Sequence, residues 1–423
     1  MKTKVFTLLS CCAFAIPALA GDGPAAAVSG TAPGWNPYTA LTNAGFNFPV
    51  SYTGEVLGNT RGGYRQGAIY DGLLEAGIQI DLSKLANWQG ATFTADMYFP
   101  HGDSLTLRDV HDINVVSNID APHFPRLYEL WMQQELFDGK FSIRVGQLPA
   151  DTEFFVTAYG ALFINSTFGV LPTIALNMNA PIYPAATPGV RLRLKPDDNW
   201  TFLAGVFNGT TGDLGHVDRN GTNFNFDKSN GVLCIVETDY TLNPPPPPPT
   251  DNKTAAPTSR PLSGTYKLGG YLNTGDFSDV RTGGTLHDDY GAYVIVDQEL
   301  WHLPGAPDEG LRGFWRIGFA PGDRNHLSLD METGLNYAGL IPHREKDLAG
   351  LAFAYTKVSD GVPDDAGTAP ARHYESIIEL TYQAVVNNYL NVQPDLQYVF
   401  NPSGGAEPLK NALVLGLRFN LTF

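Results

Sequence analysis

Along most of the chain, apolar and polar residues alternate one by one, the repeat of a strand with one face in grease and the other in water. In the last segment Leu413, Leu415, Leu417, Phe419, Leu421 and Phe423 interleave with Ala412, Val414, Gly416, Arg418, Asn420 and Thr422. Just before it, Leu390, Val392, Pro394, Leu396, Tyr398 and Phe400 alternate with Asn391, Gln393, Asp395, Gln397 and Val399. Leu327, Leu329, Met331, Leu335 and Tyr337 do the same against Ser328, Asp330, Glu332 and Asn336. About sixteen such segments are expected. They fall near residues 50–57, 72–82, 91–99, 126–137, 140–147, 189–196, 199–207, 231–241, 264–274, 289–301, 311–320, 326–338, 347–358, 373–385, 388–400 and 411–423.

One segment decides which face meets which solvent. Val190, Leu192 and Leu194 alternate with Arg191, Arg193 and Lys195. A cation at mid-membrane on a lipid face costs roughly 2–4 kcal/mol, so three would cost on the order of 6–12. The basic row therefore faces trapped water, and the pattern predicts an all-β, antiparallel transmembrane barrel of about sixteen strands. An even strand number lets both ends lie on one side and leaves an aqueous lumen.

Bacterial barrels have short inner turns and long outer loops. With the first strand rising outward, short turns fall at Asp138-Gly139, Pro196–Asn199 and Val386-Asn387, and long connections at about 100–125, 148–188 and 208–230. The 148–188 connection is long enough to expect a job for it. Its Phe154, Phe155, Tyr159, Phe163 and Phe168 predict that it folds inward and packs on the wall. The long 242–263 connection breaks the inner-turn rule; its run Pro244–Pro249 makes a stiff rod, or marks a miscounted strand. Pro394 inside a strand predicts a local bulge.

Residues 1–20 read as a secretory signal: Lys2 and Lys4, an apolar stretch from Val5 to Ile16, then Ala18-Leu19-Ala20. A lipoprotein site at Cys11 would cut that stretch in its middle. Cys11 and Cys12 leave with the signal, so Cys234 has no partner for an internal disulfide. No later run is long enough for a transmembrane helix. Residues 21–48 are expected to be an N-terminal periplasmic segment and 49–423 the barrel.

The composition fits: 45 Gly, 19 Tyr, 24 Phe and 17% charged residues make a turn-rich, aromatic-rich chain. Its formal charge of −16 argues against nucleic-acid binding. Catalytic signatures of the H-E-x-x-H, G-x-S-x-G and G-x-G-x-x-G kinds are absent from the sequence, so no enzyme and no cofactor is expected. The acidic runs Asp360–Asp365 and Asp308-Glu309 could take Ca²⁺ but read first as solvated loops.

The stretch Asn391-Val392-Gln393-Pro394-Asp395-Leu396-Gln397-Tyr398-Val399, followed by Asn401-Pro402-Ser403-Gly404-Gly405 and Gly416-Leu417-Arg418, resembles the C-terminal signature of the carbohydrate-selective outer-membrane porins of the OprB type. Gly62-Gly63 with Gly72 and Asp81-Leu82, Arg144-Val145-Gly146-Gln147, and Tyr183-Pro184 leading into Gly189-Val190-Arg191 are similar, more loosely. The resemblance covers most of the chain. It implies a sixteen-stranded porin of a Gram-negative outer membrane that admits glucose and related sugars by facilitated diffusion.

Neutral sugars are held by polar side chains that replace water and by aromatic faces. Glu129, Trp131, Gln133 and Glu135 share one strand face, with Arg144 beside them; Arg191, Arg193, Gln393, Asp395 and Gln397 would complete a constriction. Trp131 serves packing before it serves as a sugar platform. The basic row either selects solutes or pairs with wall carboxylates. Tyr and Trp near strand ends read as interface girdles. Expected partners are small neutral sugars, outer-membrane lipid and lipopolysaccharide, the barrel-assembly machinery through Phe423, and two further copies in a homotrimer. An anion-selective or general diffusion porin is the alternative within this fold. A barrel lipase or a soluble lectin would need a Ser/His pair or a covered sheet face, respectively, and neither is visible.

Overall fold

The structure, a computed structural model, describes residues 37–212, 218–226, 228–244, 260–362, 373–405 and 408–423. The signal-peptide reading of residues 1–20 and most of the Pro244–Pro249 run lie outside the described residues. So do Asp364 and Asp365.

Helix α1 (Pro37–Asn43) and a two-residue strand β1 (Phe46–Asn47) precede the wall. The wall runs β2 (Val50–Gly63), β3 (Gly67–Asp81), β4 (Ala91–Gly102), β5 (Arg126–Leu136), β6 (Phe141–Leu148), β7 (Thr187–Leu194), β8 (Trp200–Asn208) and β9 (Val232–Leu242). It continues through β10 (Gly264–Ser278), β11 (Thr285–Leu303), β12 (Ala306–Phe319), β13 (Leu327–Ala338), β14 (Leu348–Val358), β15 (Tyr374–Val385), β16 (Leu390–Phe400) and β17 (Lys410–Thr422). A short helix α2 (Leu82–Ala86) follows β3, and α3 (Pro172–Ala175) lies between β6 and β7. Each wall strand pairs antiparallel with its sequence neighbour, and β17 pairs with β2, so β2–β17 form a closed sixteen-stranded ring. Closure gives every strand two partners, the arrangement that satisfies backbone groups in hydrocarbon. Among the described residues no helix is long and apolar enough to cross a membrane.

All sixteen expected segments are strands. β9 pairs directly with β10, with Val236 and Glu237 opposite Gly270 and Gly269, so no strand stands between them in the wall. The faces also fall as the alternation demands. Val236 and Leu268 are 60% and 62% exposed on the outside, and Leu415 and Leu417 are exposed too, while Ala412 and Val414 are buried in the lumen. At the rim that carries both described ends, Trp200 packs against Tyr240 at 4.9 Å between ring centroids, an interfacial girdle. Phe423 donates its N–H to Val50 there.

Two expectations need correction. Pro394 makes no bulge: Thr381 pairs with Asp395 and Ala384 with Val392 in one unbroken register, and the Pro394 carbonyl accepts the Thr381 hydroxyl at 3.2 Å. The ladder tolerates the missing N–H by skipping rungs. Asp308 and Glu309 lie within β12 instead of in a loop, because the β11–β12 hairpin extends past its neighbours.

Candidate functional site

The lumen is occupied by two outer connections. Residues 149–186 leave the rim opposite the chain ends and fold inward, placing Phe154, Phe155, Leu171, Ile174, Met178 and Ile182 against Leu203, Phe207, Ile235, Tyr271, Tyr293 and Ile295 of β8–β11. Residues 103–125, which sequence patterning did not single out for this, fold in as well. Leu105, Val110 and Val116 join Leu162, Phe163 and Phe168 against Leu57, Phe314, Ile377, Val399 and Val414. Tyr159 remains half-buried while the four phenylalanines of the 149–186 connection are buried.

A loop buried in this way carries backbone N–H and C=O groups into a place poor in water, and each needs a partner. Wall carboxylates supply them. Glu375 accepts the N–H groups of Ile113 and Asn114, both at 2.8 Å. Glu379 accepts those of Ile164 at 2.6 Å and Asn165 at 2.9 Å. Asp297 accepts from Ala158 at 3.0 Å and from the Thr157 hydroxyl at 2.5 Å; Glu237 accepts from Phe155 at 3.0 Å; Asp330 accepts from Thr173 at 2.8 Å. Arg316 completes the set from the other sign, donating to the carbonyls of Gly169 and Thr167 while it pairs with Glu332 at 2.9 Å. Within the loop, Asp151 accepts the Tyr183 N–H at 2.9 Å and the Tyr128 hydroxyl at 3.2 Å, and burial pushes its carboxyl up to about 7.

At the seam between the last and first wall strands, Arg418 stands opposite Glu55 and bonds it at 2.7 Å. The same guanidinium donates to Asn118 at 2.7 Å, and Ser117 bonds Glu55, so the seam also holds the 103–125 connection.

The sequence-predicted residues divide into two groups. On β5–β7, Gln133 faces Arg144 and Arg144 faces Arg191 in register. The Arg144 guanidinium lies 3.8 Å from the Trp131 ring centroid, and the Trp131 indole N–H donates to Glu129 at 2.6 Å. Arg191, only 1% exposed, donates to Gln133 at 2.6 Å, to Ser142 at 2.6 Å and to both oxygens of Glu153. Arg193 donates to Glu135 at 3.0 Å with both side chains partly open to the lumen. Glu153 comes from the inward loop and also lies 3.5 Å from Arg144. A single glutamate in an aromatic-rich connection gave no signal by itself.

Gln393, Asp395 and Gln397 on β16 stand apart from these, with β17, β2, β3 and β4 between β16 and β5. Gln393 donates to the Leu162 carbonyl at 2.7 Å, and Gln397 donates to the Val116 carbonyl at 3.0 Å and accepts from Asn165 at 3.0 Å. Asp395 accepts from Gln397 at 3.1 Å. Gln393 and Gln397 touch the inward connections, so the expected single constriction is two separate clusters. Among the described residues no group of three or more His, Cys, Asp or Glu side chains is arranged to hold a metal ion.

A closed antiparallel ring with a greasy outside, a polar lumen and a loop narrowing it defines an outer-membrane porin. The chain belongs to the OprB family of carbohydrate-selective porins, whose family model matches residues 65–423. It is therefore a transport protein of the Gram-negative outer membrane, and not an enzyme. Porin B of Pseudomonas aeruginosa is 24% identical over 424 residues, covering 91% of this chain and 89% of that protein. The high-pH structure of Pseudomonas putida OprB superposes with a TM-score of 0.80 at 24% identity, covering 91% of this chain and 96% of that one. An anion-selective porin from Comamonas acidovorans reaches a TM-score of 0.52 at 11% identity over 89% of this chain and 99% of its own. Fold alone thus spans different selectivities, and selectivity must be argued from the lumen.

Proposed function

We propose that the chain passes glucose-type monosaccharides and small oligosaccharides by facilitated diffusion, through a constriction lined by Gln133, Glu135, Arg144, Glu153 and Arg193. Glu129, Trp131 and Arg191 stand behind that surface as its support. Trp131 acts as the plate under Arg144, and Gln393, Asp395 and Gln397 act as loop holders instead of sugar contacts.

The observation that carries this reading is that the basic row and Arg144 beside it are all paired with carboxylates: Arg144 and Arg191 share Glu153, Arg193 has Glu135 at 3.0 Å, and Lys195 has Asp198 at 3.7 Å. Such a wall offers alternating donors and acceptors with little net field, which suits hydroxyl groups better than ions. An anion channel gains from cations left without such partners. Lipid and lipopolysaccharide outside, assembly as a homotrimer, and recognition of the exposed Phe423 by the barrel-assembly machinery belong to the same proposal.

Liposome swelling with glucose, a disaccharide and a neutral non-sugar of glucose's size tests it. Glucose is expected to enter faster than the size-matched non-sugar, and Arg193→Ala is expected to erase that preference. Rates set by size alone would remove the sugar reading. Strong anion selectivity in reversal potentials, without block by sugar, would replace it with the anion channel.

A further inference from the structure

Among the neighbouring carboxylates in the wall beneath the inward connections, two pairs are built differently. Asp330 and Glu332 sit two residues apart on β13, and Arg316 is bonded to Glu332 at 2.9 Å. The other pair is Glu379 on β15 and Asp395 on β16. Glu379 stands opposite Gln397 and Asp395 opposite Thr381, so the two acids are diagonal neighbours on the lumen face. Both are buried, and Asp395 Oδ1, beside Glu379, has no hydrogen-bond donor among the described residues.

Two carboxyl groups can share a hydrogen bond only when one of them carries a proton, since an ionised carboxylate is acceptor-only. Held this close and away from water, both cannot be charged together. Among the described residues no cation is free to change that. Arg418 on β17 stands opposite Gln393, diagonal to Asp395, but its guanidinium is bonded to Glu55 and Asn118, each at 2.7 Å. On β15 the nearest acid on the same face, Glu375, is occupied by the N–H groups of Ile113 and Asn114. The remaining groups around the pair, Thr381, Gln393, Gln397 and Asn165, are neutral. Glu379 meanwhile grips the inward loop through the N–H groups of Ile164 and Asn165.

We infer that Glu379 and Asp395 share a single proton and are positioning residues for the constriction: the singly protonated pair clasps residues 162–165 to the wall, and loss of that proton to lumen water unclasps them. Deprotonation sets two charges against each other in a buried place, and the loop segment held by Glu379 is the part able to move. This rests on the reading of the 149–186 connection as the pore constriction.

The test is single-channel conductance of the full chain in planar bilayers without sugar, titrated from neutral to alkaline pH. Wild type is expected to show a reversible step in conductance. Asp395→Asn, which replaces the shared proton by a fixed amide hydrogen and leaves both Glu379 oxygens to the loop, is expected to keep the neutral-pH conductance and lose the step; Glu379→Gln, whose one amide oxygen can hold only one of the two loop N–H groups, is expected to lose the step and to alter the neutral-pH conductance as well. A step that persists unshifted in both variants, or no step in wild type, would overturn the inference. Should neither variant assemble, infrared difference spectra of wild type decide. A protonated-carboxyl stretch that vanishes along with the conductance step supports the pair, and its absence at neutral pH refutes it. Because no sugar is present, failure of the sugar reading in swelling assays leaves this result standing, and the converse also holds.

Discussion

The wall formed by β5–β7 and the wall formed by β12–β16 both point charged side chains into the lumen, yet they employ them in opposite ways. On β5–β7 the charges bond to one another along the wall, and Arg193 and Glu135, joined across the intervening β6, stay partly open to water. On β12–β16 they are spent on the backbone of folded-in chain, as Arg316, Asp330, Glu375 and Glu379 are, and all four are fully buried. The difference teaches that a polar lumen face is not by itself a pore surface. Where a connection lies against the wall, charge serves as mortar; where none does, it meets the solute.

Breaking the mortar should cost most. Arg316→Ala strands Glu332 and Asp330 without a cation and orphans two loop carbonyls. It is expected to destabilise the barrel by about 3–5 kcal/mol, read as a lower temperature for conversion from the folded to the unfolded band on gels. Unchanged thermal behaviour would erase the distinction between the walls. Asp297→Ala removes the acceptor for Thr157 and Ala158, and a loss of about 1–3 kcal/mol with noisier single-channel current is expected. Smallest in stability is Glu135→Gln on the pore wall. A partly exposed pair contributes about 0–1 kcal/mol, so folding should be untouched while the reversal potential shifts toward anions as Arg193 loses its partner. A large stability loss there would show that β5–β7 is mortar too.

The strand count and the faces were legible because the requirement behind them is local: a residue's side is set by its parity, and lipid punishes the wrong parity. The same locality hid the loops' destination. Gln393 and Gln397 look like pore lining from β16 alone. Their partners Leu162 and Val116 lie 231 and 281 positions away, and nothing in the alternation couples such distances. Ile235, Tyr271 and Ile295 are apolar on the lumen side, against the rule, because the inward loop turns that patch of wall into a core. Glu153 was invisible for the related reason that its two arginines belong to other strands.

The Arg418 and Glu55 contact joins the first and last strands of the ring and, through Ser117 and Asn118, the plug beneath them. During biogenesis the chain's final segment must therefore arrive before either task can finish. An intermediate lacking β17 would carry two raw sheet edges and a slack gate at once, so zipping the cylinder shut and setting its aperture become a single event.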